Sequence, residues 1–369
     1  MKIAIVINKS WNIYNFRMGL INAFLKNGHL VVAIAPEDEY SKLLIEKGCE
    51  FVPLEMEEKG SNPVKDALLV LELYKIYKAV SPDFILQYTI KPNIYGTIAA
   101  NLLGIPCINN VSGLGTVFLH NNFTSRVAQL LYKIAFKYPK KVFFQNSDDL
   151  QLFLDKKLIK KEITGLLPGS GVNIDAFKPR EFIRNDSFTF LVIARLLYDK
   201  GIVEFVEGAR IIRQKGINAR CQLLGFTDFN TRLGIPQSLL EGWISEGIVE
   251  YLGTTDNVAS YIYKADCVVL PSYREGTPRT LLEAAALGKP LIATNVPGCK
   301  EVVDNDYNGF LCEAKDAEDL ANKMVRIYNL ADEQLSNFGK NSRKKIEEKF
   351  NEQIVFKKYF EALDLPYKN

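Results

Sequence analysis

Two glutamates eight residues apart, Glu275 and Glu283, lie in the stretch Leu270-Pro-Ser-Tyr-Arg-Glu-Gly-Thr-Pro-Arg-Thr-Leu-Leu-Glu-Ala285. The apolar, β-branched run Asp266-Cys-Val-Val-Leu270 reads as a buried parallel strand. Thr277 is then a natural N-cap, and Pro278 suits the first helical position, where its missing N–H costs nothing. The first free N–H groups of that helix, those of Arg279 and Thr280, together with the helix dipole make an anion site at the strand's carboxyl end. Gly276 lets a ligand come close to the backbone. Glu275 stands on the loop before the anion, and Glu283 about one and a half turns into the helix. Two carboxylates flanking a phosphate suit a nucleotide sugar, one gripping sugar hydroxyls and the other ribose hydroxyls. An isolated pair would read as a turn residue and a solvated helix residue. The strand, glycine, cap and proline around this pair favour the ligand site.

A basic pair lies upstream in Phe190-Leu-Val-Ile-Ala-Arg195-Leu-Leu-Tyr-Asp-Lys200-Gly201, directly after another apolar strand. Arg195 and Lys200 at a strand end and a helix start supply the positive field that a departing diphosphate requires. Asp304-Asn-Asp306 has the look of a metal-binding Asp-x-Asp, but it falls in a turn with no phosphate loop nearby, so no metal is expected. The two histidines, His29 and His120, stand in contexts that suggest no catalytic role.

The elements that must position these residues follow from composition and periodicity. A chain of 369 residues suggests two domains. Its apolar and charged fractions are those of an ordinary soluble α/β protein, with no apolar run of the ~18–20 residues that cross a membrane. The opening Met-Lys-Ile-Ala-Ile-Val-Ile-Asn8 reads as a strand and not as a signal peptide. Six scattered cysteines without Cys-x-x-Cys argue against zinc and against a disulfide framework, and a cytoplasmic protein is expected. Residues 1–168 carry 20 Lys+Arg against 15 Asp+Glu, a bias that suits an anionic membrane surface or a diphosphate and is too weak for nucleic acid.

Apolar strands starting near Ile3, Leu30, Phe84, Cys107 and Val142 alternate with helical patterns at 16–27, 40–47, 63–80, 92–103, 123–138 and 147–154. That alternation predicts a doubly wound parallel sheet over 1–168. Pro and Gly spacing marks 169–187 as a linker, and a second α/β series fills 188–350. A last helix over 351–363 has an apolar stripe of Phe356, Tyr359, Phe360 and Leu363, which could pack on either domain. Over 125–141, Val127, Leu130, Leu131, Ile134 and Tyr138 share one helical face, and Arg126, Lys133, Lys137, Lys140 and Lys141 occupy much of the rest. Such a helix either covers a sheet or lies on anionic lipid.

The Glu275/Glu283 segment resembles the Glu-x7-Glu signature of retaining GT4 glycosyltransferases, and Arg195/Lys200-Gly201 resembles their Arg-x4-Lys-Gly. The resemblance covers nearly the whole chain. It implies a GT-B fold, two Rossmann-like domains facing across a cleft, with the last helix crossing back to the first domain. It also implies that the basic pair holds the donor diphosphate, that Glu275 orients the sugar and Glu283 the ribose, and that no metal or cofactor is needed, the nucleotide sugar being a co-substrate. Leu223-Leu-Gly225 is similar to the family's Leu-x-Gly corner, and Val249-Glu-Tyr251-Leu-Gly253 to the stretch framing the base. Neither selects uracil over guanine, though a UDP-linked N-acetylhexosamine or hexose is the expected donor. Pro297-Gly298-Cys-Lys-Glu301 resembles the Gly-x-x-Glu loop that orders the second domain.

At the front, Ile13-Tyr14-Asn15-Phe16-Arg17-Met18 and Gly113-Leu-Gly115 look like bacterial transferases that add N-acetylgalactosamine to undecaprenyl-diphosphate-linked sugars. On that resemblance Arg17, placed at the end of the first βα loop, reaches an acceptor diphosphate, with Ser112 and Gly113 on the same acceptor side. Ser112 stands where relatives carry a histidine. The implied partners are a nucleotide-sugar donor, a polyprenyl-diphosphate-linked saccharide in O-antigen, capsule or glycoprotein glycan assembly, and the inner face of the cell membrane. A GT-B-fold nucleotide-sugar epimerase and a non-catalytic sugar-nucleotide-binding subunit are the alternatives.

Overall fold

The computed structural model describes residues 1–57, 62–114, 123–181, 183–184, 186–229 and 231–368. They form two units, Met1–Ser170 with Glu352–Asn369, and Gly171–Asn351. Unit 1 runs β1 (Lys2–Val6), α1 (Ser10–Lys26), β2 (Leu30–Ala35), α2 (Glu39–Glu46), β3 (Glu50–Pro53), α3 (Pro63–Val80) and β4 (Phe84–Tyr88). It continues with α4 (Thr97–Leu102), β5 (Cys107–Val111), α5 (Phe123–Ala135), β6 (Lys141–Phe144), α6 (Ser147–Asp155) and β7 (Thr164–Leu166). The seven strands pair in parallel in the order β3-β2-β1-β4-β5-β6-β7.

Parallel strands joined by helices are covered on both faces, which is why these strands are apolar at almost every position. Successive side chains go to opposite faces. Ile3, Ile5 and Leu86 pack with α1, while Ala4, Val6 and Ile85 pack with α3 and α4.

Unit 2 repeats the plan with β8 (Phe188–Ile193), α7 (Ile202–Gln214), β9 (Ala219–Leu224), α8 (Gln237–Ser245), β10 (Glu250–Tyr251), α9 (Val258–Lys264) and β11 (Cys267–Leu270). After these come α10 (Arg279–Ala286), β12 (Leu291–Thr294), α11 (Cys299–Val302), β13 (Gly309–Cys312), α12 (Ala317–Tyr328) and α13 (Asp332–Lys345). Its six strands are parallel in the order β10-β9-β8-β11-β12-β13. The stretch 169–187, expected as a linker, supplies Val172, Ile174 and Phe177 to the core of unit 2. Arg343 donates to the carbonyls of Ile174 and Phe177, which fixes that stretch. The chain then returns to unit 1 as α14 (Glu352–Ala362), whose Val355, Phe356, Tyr359 and Phe360 are buried against Ile13, Leu20 and Phe24.

Three local features depart from the sequence pattern. Helix α1 starts at Ser10, well before the expected residue 16, and Asn12, Asn15 and Trp11 form its polar early face. Strands β3 and β7 are short and half-exposed, so they carry no apolar run to read. The expected helix 92–103 opens as a π turn, Pro92–Gly96, before α4. Thr89 at the head of that turn has φ of +66°, a costly conformation for a β-branched residue, and its carbonyl accepts the Asn93 N–H at 3.1 Å.

Candidate active site

In both sheets the strand order reverses once, between β1 and β4 in unit 1 and between β8 and β11 in unit 2. Ligands of open parallel sheets bind outside the strand carboxyl ends at such points. Lys200 follows β8 and Glu275 follows β11, so the reversal in unit 2 brings them together. The Lys200 Nζ lies 2.5 Å from the Glu275 Oε1, with both side chains largely buried.

Backbone packing fixes each loop. Lys200 closes the 3₁₀ turn Tyr198–Lys200, and Gly201 follows at φ +69°. A β-carbon on Gly201 would lie 2.1 Å from the Pro271 carbonyl oxygen, so only glycine lets the two loops approach. The Tyr273 N–H donates to the Asp199 carbonyl, and the Tyr273 hydroxyl donates to Glu204 at 2.6 Å. On the other side, Gly298 packs on the carbonyls of Glu275 and Gly276, and the Glu275 N–H donates to the Pro297 carbonyl. The Gly298 N–H donates to the Glu301 carboxylate at 2.6 Å. The Gly-x-x-Glu loop is thus a brace behind Glu275. Gly276 is buried, and its carbonyl is one of the two on which Gly298 packs.

The start of α10 differs from the sequence reading by one residue. Helical geometry begins at Arg279, Pro278 occupies the cap with an extended ψ of 114°, and Thr277 lies one residue outside the helix. The Thr280 hydroxyl donates to the Ile193 carbonyl at 3.1 Å and ties the helix start to the end of β8. Glu283 is 9% exposed and accepts from the Arg279 Nε at 2.7 Å. Burial pushes its carboxyl above the usual range, and the Arg279 charge works against that shift.

Arg195 is exposed one residue beyond Ala194 and makes no ion pair among the described residues. Ala194 is held by Gly225, whose missing β-carbon would sit 1.9 Å from the Ala194 carbonyl oxygen. The Gly225 N–H donates to the Gly253 carbonyl, and its own carbonyl accepts the Tyr251 hydroxyl at 2.9 Å. Arg195, Gly225 and Tyr251 therefore share one cross-linked corner at the ends of β8, β9 and β10. Asp304 and Asp306 are separately engaged, by Lys345 at 2.8 Å and Arg326 at 2.7 Å. Among the described residues no group of three or more His, Cys, Asp or Glu could hold a metal ion. All six cysteines are buried and unpaired.

In unit 1, Arg17 is not at a loop end. It lies two turns into α1, is 8% exposed, and stacks its guanidinium 4.2 Å from the centre of the Tyr88 ring. One Nη donates to the Phe16 carbonyl at 3.1 Å, while the buried Nε has no partner and no carboxylate pairs with it among the described residues. The buried Tyr88 hydroxyl faces that of Tyr359. Beside it, the Tyr359 hydroxyl accepts from Asn110, whose side-chain oxygen accepts from Ser112 at 3.0 Å and from Gln145 at 3.3 Å. Gly113 follows at φ +143°. Gly115 and His120 lie outside the described residues. Tyr88, Asn110 and Tyr359 were not anticipated. The available signal was polar Gln87, Asn109 and Asn110 inside otherwise apolar strands.

The two parallel-sheet units are those of the GT-B fold. The chain superposes on sucrose-phosphate synthase of Thermosynechococcus elongatus with a TM-score of 0.81 at 20% identity, over 99% of this chain and 98% of that one. It superposes on the Anabaena HepE protein in complex with UDP-glucose with a TM-score of 0.80 at 18% identity, over 99% of each. The sequence pattern of Glycosyl transferase 4-like proteins matches residues 2–146, and that of Glycosyl transferases group 1 matches residues 173–345. The chain is 30% identical, over 100% of both chains, to the N,N'-diacetylbacillosaminyl-diphospho-undecaprenol alpha-1,3-N-acetylgalactosaminyltransferase of Campylobacter jejuni. It is 28% identical to the UDP-Gal:alpha-D-GlcNAc-diphosphoundecaprenol alpha-1,3-galactosyltransferase of Escherichia coli, over 78% of this chain and 76% of that one. The chain belongs to this glycosyltransferase family.

Proposed function

We propose that the chain moves a hexose or N-acetylhexosamine from a UDP-sugar to a saccharide carried on undecaprenyl diphosphate, with retention of configuration and without a metal. The observation that carries the donor half is the Lys200–Glu275 pair, braced on both sides at the β8/β11 reversal. In this reading Arg195, Lys200 and the start of α10 at Arg279 and Thr280 stabilise the departing diphosphate, so the charge a metal would neutralise is met by side chains and amides. Gly276, Thr277 and Pro278 shape that turn. Glu275 orients the sugar, Glu283 takes the ribose, and Gly225 with Tyr251 frames the base. The acceptor hydroxyl attacks on the leaving-group side, and the leaving phosphate takes its proton.

The names of the two relatives support an undecaprenyl-diphosphate acceptor, and one of them supports a UDP-sugar donor. On the acceptor side we assign Arg17, Ser112 and Gly113. Arg17 suits an anion because a nearly buried cation without a counterion is costly until one arrives. No helix among the described residues is long and apolar enough to cross a membrane. In this reading the chain works as a peripheral protein on the inner, anionic membrane face, which suits a lipid-borne acceptor. The test is a screen of nucleotide sugars with and without polyprenyl-diphosphate saccharides. Transfer of one sugar only when acceptor is present supports the reading. Epimerised or free sugar as the sole product overturns it.

A further inference from the structure

The α5 stripe does not cover the sheet. Phe123 is 82% exposed and Leu130 58%, with Val127, Ile134 and Tyr138 also exposed along the same line. The helix is anchored instead by Ser125, Tyr132 and Ala135. Residues 123–141 contain no Asp or Glu, and Arg126, Lys133 and Lys137 are exposed beside the apolar line.

A second helix on the same side of the sheet adds a second exposed apolar line, with Glu72 on its flank and Glu55 and Glu57 near Leu68. Val64, Leu68 and Leu71 of α3 are exposed at helical spacing and are followed by exposed Lys75 and Lys78. Strand parity shows the shared side. Cys107 packs with α3 and α4, whereas Val111, the same parity along β5, packs with α5. Both α3 and α5 also contact the Pro92–Gly96 turn. Each helix begins at the carboxyl end of the sheet, so Val64 and Phe123 mark the end where Ser112 and Gly113 lie.

We propose that the α3–α5 face of unit 1 is a membrane-docking surface that inserts its apolar lines into the headgroup region of an anionic leaflet. On α5 an apolar line flanked by cations, with no acid over 123–141, is the pattern of an interfacial helix, and α3 adds apolar area with Glu72 at its margin. A second copy would set these cations against their own kind, whereas the anionic leaflet that carries a lipid-linked acceptor neutralises them. The inference rests on the lipid-linked acceptor reading and adds to it the face, the depth and the mode of attachment, which is insertion and not charge alone.

The test uses the full chain with vesicles of phosphatidylglycerol and phosphatidylcholine. The paired variants Leu68→Glu/Leu71→Glu and Leu130→Glu/Ile134→Glu should each lower vesicle partitioning tenfold or more, while turnover on a water-soluble short-chain acceptor stays near that of the wild type. Phe123→Trp keeps the surface apolar, and the fluorescence it adds should be quenched by shallowly brominated lipid while that of Trp11, on α1, is not. The proposal is overturned if the Glu variants partition like the wild type, or if bromine leaves the fluorescence added by Phe123→Trp untouched. It is equally overturned if the wild type ignores vesicles and forms a dimer that the same variants dissociate. Vesicle binding without transfer to a lipid-linked acceptor would remove the proposed substrate and leave the surface standing. Transfer in detergent without vesicle binding would do the reverse.

Discussion

Gly298→Ala tests whether the position of Glu275 is as tightly fixed as its surroundings imply. Gly298 has φ of +87°, and a β-carbon there would lie 2.5 Å from the Gly276 oxygen and 2.6 Å from the Glu275 oxygen. Ordinary contact begins at 3.4 Å, so the Glu275 loop must retreat by the difference between 3.4 and 2.5 Å, or 0.9 Å. A misplacement of about 1 Å at a reacting centre costs roughly a hundredfold in rate. The backbone conformation, φ +87° with ψ −45°, lies outside the left-handed helical region and costs a residue with a β-carbon more than the roughly 1–2 kcal/mol of that region. Gly216→Ala is the control. It lies in the turn between α7 and β9 with φ of +75° and nothing within 4 Å, so it carries a positive-φ backbone cost without the displacement. Sugar transfer measured from labelled donor should fall about a hundredfold in Gly298→Ala and stay near normal in Gly216→Ala, with melting temperatures lowered in both. A folded Gly298→Ala protein with full turnover would refute the reasoning. So would an equal loss of activity in Gly216→Ala.

Arg195→Ala and Lys200→Ala should each reduce turnover by roughly two orders of magnitude, the usual effect of deleting one charge-stabilising donor. Near-normal rates in both folded variants would remove the diphosphate assignment. Activity should survive EDTA, and loss reversed by Mn²⁺ or Mg²⁺ would show a metal requirement. Burial raises the Glu283 carboxyl above its unfolded value, so its stabilising contribution is full at low pH and is lost as pH rises through the folded value. Melting curves between about pH 4 and 7 should therefore show Glu283→Gln gaining on the wild type as pH rises. The opposite trend would mean that the Arg279 pairing outweighs burial.

The strands that form the sheet centres were legible because a strand covered on both faces has to be apolar throughout. The strands that open at Leu30, Phe84 and Cys107 stand where the pattern gave them. Strand β3 was not legible, since Glu50 and Pro53 are exposed and break the run. The apolar stripe of α14 was visible, but nothing within it says which unit it joins. At the site, the residue types and spacing of Glu275, Glu283, Arg195 and Lys200 could be read, whereas the Lys200–Glu275 contact depends on strand order, which is non-local. The burial of Arg17 escaped notice because α1 starts earlier than its apolar residues suggest. The α5 stripe was read correctly as amphipathic, and only the placement of Ser125, Tyr132 and Ala135 reveals that its apolar side faces outward.

The return of α14 to unit 1 has a consequence for the order in which the protein is made. Unit 2 is one continuous segment, Gly171–Asn351, and can close its core as soon as it has left the ribosome. Unit 1 emerges first, yet Phe24 waits for Phe360, which stacks on it at 4.9 Å, until nearly the whole chain has been synthesised. During that interval the α1 surface that will receive Val355, Phe356 and Tyr359 is bare to water and to other nascent chains. A ribosome that stops shortly before residue 352 would release a finished unit 2 tethered to an unfinished unit 1. Quality control would meet that product as a folded domain carrying an exposed apolar groove.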